Sequence, residues 1–188
     1  MSKFEFTITI VSIVIAFALS ELMAGWGRIL RHHQRPRIDW LFAAWSVGIL
    51  LLGVLHWSGL WLYASVPFET LPQLFALLAP PLLLVPLAFL LSPDPKADVS
   101  FDLGAYFRDI SRPTLLLVAA FTILSLVADV AVGGVSLFSI EIAWSLGFLG
   151  LLVAAAVSRS EKLGIVALAT LWISIAGFVF GLVDAPGW

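Results

Sequence analysis

Four ionisable side chains stand in or at the edge of stretches that are otherwise apolar: Glu21, His56, Asp129 and Glu141. A charged group in hydrocarbon costs about 3 kcal/mol on insertion scales, so such residues are expected to face a cavity or a partner. Asp129 follows Ser125 by one helical turn, and Glu141 precedes Ser145 by one turn. If the two faces meet, carboxylates and hydroxyls line one short polar path. Like charges in a low dielectric resist joint ionisation, so one of the acids would hold a proton. A nearby histidine titrates close to neutral pH. That set suits proton or cation passage. Pro80, Pro81 and Pro86 fall in a single apolar stretch, where each removes a backbone donor and crowds the preceding turn. They are the candidate helix breaks, and carbonyls bared there would add to the path.

Each candidate also has a plainer role. Asp129 and Glu141 lie near enough to a span end to be interfacial acids. His56, beside Trp57 and close to Trp61, suits an interface anchor or a satisfied core histidine. Glu21 lies within reach of the arginines that follow it and is expected to pair with one. The prolines suit a structural kink without a ligand.

The elements that must position these residues are membrane spans. The chain is 61% hydrophobic and only 12% charged, with mean hydropathy +1.07. Its apolar residues come in blocks of about twenty, the length of a helix that crosses about 30 Å of hydrocarbon. The pattern predicts an all-α polytopic membrane protein, a single domain over 1–188. The six spans fall near 5–26, 39–66, 72–92, 113–133, 136–158 and 163–183. The first is read as an uncleaved span, because its apolar run is long, ends in Glu21 and has no A-x-A-like site after it. Short loops predict that consecutive helices are antiparallel neighbours. Between the third and fourth spans, SFDLGAYFRDISR predicts a short interfacial helix near 100–112, with Ser100 as N-cap and Pro113 opening the next span.

Orientation comes from the segment Gly27 to Trp40, which holds Arg28, Arg31, Arg35 and Arg37 with His32 and His33 among them. Arginine-rich short loops stay on the cytoplasmic side. Lys96, Arg108, Arg112, Arg159 and Lys162 fall in connections on that same side, so nine of the ten basic residues agree and only Lys3 does not. Both termini are then outside a bacterial-type cytoplasmic (inner) membrane. The four arginines are also the place where anionic lipid would bind.

Small residues at helical spacing mark faces for close helix approach. They are Ser12, Ala16, Ser20 and Ala24 in the first span, and Ala143, Gly147, Gly150 and Ala154 in the fifth. In the sixth they are Ala167, Thr170, Ser174, Gly177 and Gly181. Trp40, Trp61 and Tyr63 suit the interfaces, whereas Trp45 and Trp57 lie deeper and need packing partners.

Several chemistries are set aside. The chain has no cysteine, which excludes disulfides and thiolate sites. No lysine lies inside a span to hold a retinal-type Schiff base, and a lone intramembrane histidine cannot ligate haem twice. Walker, HExxH and GxSxG motifs are absent from the sequence. No enzyme activity, cofactor, metal or nucleic-acid partner is therefore expected. Two functions remain. One is an ion (proton or cation) channel or secondary transporter working as an oligomer. The other is a non-catalytic accessory or sensory subunit of a larger membrane complex.

Overall fold

The computed structural model describes residues 3–31, 38–66, 70–94 and 101–183. They form α1 (Lys3–Arg31), α2 (Trp40–Gly59), α3 (Leu71–Leu90), α4 (Leu103–Ala131), α5 (Ile140–Ser158) and α6 (Glu161–Val183). A 3-10 turn, Leu60–Tyr63, prolongs α2. All six helices are long and apolar enough to cross a membrane, as the sequence predicts. The chain is a multi-pass membrane protein.

Starts are fixed by side chains that satisfy the orphan amides of a first turn. Asp39 accepts from the Phe42 amide at 2.9 Å, and Ser139 from that of Ile142 at 3.3 Å. Asp102 accepts from Gly104 and Ala105 at 2.8 and 3.2 Å. Ser160 accepts from Leu163 at 3.4 Å.

The bundle is held chiefly by α3, which packs most extensively on α4 and on α1. α4 continues the arc to α5, and α5 to α6. α2 closes it, touching α1, α3, α4 and α6. Neighbours are therefore not simply consecutive: α1 lies against α3 more than against α2. On α1 the buried residues Val11, Ile15, Ala18, Leu22, Gly25 and Ile29 recur at alternating spacings of four and three. That is the seam of a coiled-coil-like contact.

Two expectations about helix continuity are corrected. The segment before Pro113 is not a separate helix; α4, capped by Asp102, starts at Leu103 and runs unbroken through the proline. Its first turns bury Leu103, Gly104 and Phe107. Phe107 meets Phe42 edge to face at 6.2 Å, and Tyr106 donates to the Leu90 carbonyl at 2.8 Å. These contacts hold the segment on the bundle. Ser100, the expected cap, lies outside the described residues. In α3, Pro80, Pro81 and Pro86 do not break the helix, which is continuous from Leu71 to Leu90. Pro80 and Pro81 are buried in the most heavily packed helix of the bundle, so its neighbours hold the geometry that the lost backbone bonds would otherwise hold.

The small-residue faces also differ from expectation. On α1, Ala16, Ser20 and Ala24 are exposed, and only Ser12 makes an interhelical bond, accepting from the Trp57 indole at 2.8 Å. On α5, Ala143, Gly147, Gly150 and Ala154 are exposed. On α6, Ala167, Leu168, Leu171 and Ile175 are buried, while a side chain added at Gly177 or Gly181 would meet nothing within 4 Å. The helix contacts mix large side chains with other small residues than those expected, among them Ala18, Gly25, Ala155 and Ala156, all buried. Trp45 is fully buried, as its depth requires, and Trp57 stacks edge-on to Trp61 at 6.4 Å.

Candidate functional site

Near the end of the bundle opposite the arginine segment, α2, α4, α5 and α6 part around a cavity of about 330 Å3. α2 brings His56 from its last turn, and the 3-10 turn after it brings Tyr63. α4 brings Ser125 and Asp129, one turn apart; α5 contributes Ser145 and α6 Ser174. The remaining wall is mainly aliphatic, from Leu52, Leu55, Leu77 and Leu171. Leu77 matters for a second reason: Pro81 has no amide to give its carbonyl, so the proline pair removes a helix bond at the wall itself.

Asp129 is half-buried and accepts a short hydrogen bond from the Tyr63 phenol. Gly133 makes that approach possible. A β-carbon there would stand 3.0 Å from the Tyr63 ring and 2.7 Å from the Asp129 carbonyl. His56 Nε2 and Ser125 Oγ are both fully covered and have no hydrogen-bond partner among the described residues. The imidazole is held by the Phe121 ring, edge to face at 5.1 Å. Ser174 accepts from the Trp144 indole at 2.9 Å and donates to the Thr170 carbonyl at the same distance. An unpaired polar atom in a covered position costs about 1–3 kcal/mol. Both residues line the cavity, so the two unpaired atoms lie in its wall region.

The structure thus brings together His56, Asp129, Ser125 and Ser145. It does not bring in Glu141 or Glu21. Glu141 lies in the first turn of α5 with its side chain exposed, beside the capping residue Ser139. The connection from Val132 to Ser139 is long enough to let the two acids diverge, so Asp129 turns inward while Glu141 faces out. Thr122, three residues before Ser125 on α4, donates to the Val118 carbonyl of its own helix, 2.9 Å away. Tyr63 is the residue that sequence reasoning undervalued. Its position two residues after Trp61 reads as an interfacial aromatic, and only the 3-10 turn carries its phenol back to α4.

Glu21 pairs with Arg28 at 2.7 Å, at the other end of the bundle. Arg28 also donates to the Ser92 and Pro93 carbonyls, each at 3.4 Å, and Ser92 Oγ donates to the Glu21 carbonyl at 2.9 Å. The group ties the end of α1 to the chain leaving α3. Glu21 is therefore a structural acid. Arg31 is exposed and donates to the Gly27 carbonyl of its own helix at 3.1 Å. Arg35 and Arg37, with His32 and His33, lie outside the described residues.

Comparison of the chain with family models, curated proteins and solved structures finds no match.

Proposed function

We propose that this chain moves protons or small cations across the membrane, as a channel or secondary transporter working as an oligomer. The ion is held in the cavity shared by His56 and Asp129. One observation carries the reading: a histidine, a carboxylate, a phenol and three serines converge on about 330 Å3 of space inside a bundle whose core is otherwise almost wholly apolar. Intramembrane polar groups are expensive and accumulate where substrate passes. His56 Nε2 and Ser125 Oγ supply the unpartnered atoms that a hydrated cation or a proton relay uses. The reaction involves no bond chemistry and no cofactor. In the sequence, nine of ten basic residues fall in or beside the segments predicted to share one side, which supports a cytoplasmic arginine segment, both termini outside and a bacterial-type inner membrane. The cavity then lies toward the outer side.

A second reading, a non-catalytic accessory or sensory subunit, is favoured by the position of Glu141 outside the cavity and by the open glycine faces of α5 and α6. Flux decides between the two. Purified protein in liposomes, with an imposed membrane potential and an internal pH dye, is expected to acidify or alkalinise the lumen. Asp129→Asn is expected to lose that response, and Glu5→Gln to keep it. A parent protein that carries neither protons nor alkali cations ends the transport reading.

A further inference from the structure

At the arginine-segment end lies a second cavity, of about 450 Å3, between α2, α4, α5 and α6. It shares no residue with the His56–Asp129 site. Three arginines line it, all of them exposed: Arg108 and Arg112 from the first three turns of α4, and Arg159 from the α5–α6 connection. None of the three makes an ion pair among the described residues. Asp39, Asp109 and Glu161 also line it, and of these Asp39 is engaged in capping α2. Below the charged rim the wall is apolar, with Trp45, Phe107, Leu115 and Ala156 buried.

We propose that this cavity binds the headgroup of a zwitterionic membrane phospholipid whose amine carries protons, of the phosphoethanolamine type. Basic pockets between membrane helices take phosphate-bearing headgroups. Guanidinium presents paired donors to a phosphate diester. A purely anionic headgroup would leave Asp109 and Glu161 facing negative charge. A primary ammonium satisfies them with three donors, and the apolar wall receives the start of the acyl chains.

The backbone at Arg159 supports the same reading. It is the C-cap of α5 and adopts φ 52, the one left-handed non-glycine among the described residues. Glycine is the usual residue there and arginine is disfavoured. A strained arginine that makes no ion pair among the described residues fits a role for its side chain outside the chain itself.

The same strain supplies a clean test. Arg159→Gly removes the guanidinium and relieves the backbone, so the variant should melt no lower than the parent. The full chain is purified, exhaustively delipidated and offered phosphatidylethanolamine, phosphatidylcholine or phosphatidylglycerol with matched chains. Bound lipid is counted by native mass spectrometry. Phosphatidylethanolamine should be retained over phosphatidylcholine, whose trimethylated amine cannot donate to the carboxylates. Arg159→Gly should lower its retention about tenfold, the loss expected for one charge-assisted hydrogen bond. Glu161→Gln should narrow the preference over phosphatidylcholine. Equal retention of all three lipids, preference for phosphatidylglycerol, or undiminished retention by Arg159→Gly overturns the proposal. So does tight binding of soluble glycerophosphoethanolamine or inorganic phosphate, which would make the ligand a free phosphate.

Discussion

Tyr63 donates its phenol to Asp129 across the junction of α2 and α4, and this bond fixes the carboxylate at the mouth of the His56 cavity. The donor comes from a 3-10 turn whose tighter winding aims the ring back at α4. Gly133 leaves room for that ring. The acid is thereby oriented by a neutral donor and faces no positive charge among the ion pairs of the described residues.

Tyr63→Phe should therefore separate orientation from charge. Losing the bond should cost roughly 0.5–1.5 kcal/mol of stability. Asp129→Asn keeps the shape and removes the charge. Under the transport reading it should abolish flux, while Tyr63→Phe should only reduce it. Liposome flux at matched protein levels, beside thermal unfolding in detergent, checks both. If Tyr63→Phe abolishes flux and Asp129→Asn leaves it intact, the carboxylate does not handle the ion.

The close contact of α1 with the chain leaving α3 gives a packing prediction. A β-carbon at Gly25 would lie 2.6 Å from the Ser92 backbone, whereas one at Gly177 would touch nothing within 4 Å. Gly25→Ala should overpack the contact between α1 and Ser92 and cost about 1–3 kcal/mol. Gly177→Ala should not lower the stability of the isolated chain, and its better helix propensity should raise it slightly. Unfolding midpoints for the two variants test this directly, and a reversed order would place the helix faces wrongly.

Gly25 and Gly177 also show what the sequence can and cannot tell. The helices themselves were legible, because blocks of about twenty apolar residues admit almost nothing else. Which side of each helix turns inward was not. Val, Ile, Leu and Ala occupy every face of α1, so the seam through Val11, Ile15, Leu22 and Ile29 does not stand out, and the small residues drew attention to the exposed side. The site was half legible. His56, Ser125 and Asp129 stand out as polar residues in apolar runs, and they do meet. Glu141 stands out in the same way and is exposed. Its fate depends on the course of the eight residues from Val132 to Ser139, which no periodicity encodes.

Orientation gives a third prediction. Leu137, in the connection between α4 and α5, is exposed, as is Lys162 at the start of α6, and the number of spans between them places them at opposite ends of the bundle. With the arginine segment inside, Leu137→Cys should react with an impermeant maleimide added to intact cells. Lys162→Cys should react only after the cells are opened. The chain has no native cysteine, so labelling reports the introduced thiol alone. The opposite pattern would invert the topology and put the His56 cavity on the cytoplasmic side.

The last prediction concerns His56, where stability and function should move apart. A histidine kept for packing or for a structural hydrogen bond costs stability when it is removed. Here Nε2 is covered and unpartnered among the described residues, and the ring's recorded contact is with Phe121. Replacing it by leucine loses no observed hydrogen bond to Nε2 and removes a desolvated polar atom. His56→Leu should therefore unfold at the same temperature as the parent or higher, since an unsatisfied buried group costs about 1–3 kcal/mol. Ser125→Ala should behave likewise, for Ser125 Oγ is also covered and unpaired. If the cavity carries ions, both changes should nevertheless cut flux, with His56→Leu the more severe because it removes a ring whose nitrogens both accept and donate hydrogen bonds. Paired melting curves and flux rates settle the matter. A lower melting temperature with unchanged flux would make His56 a core residue, and the transport reading would lose its second side chain.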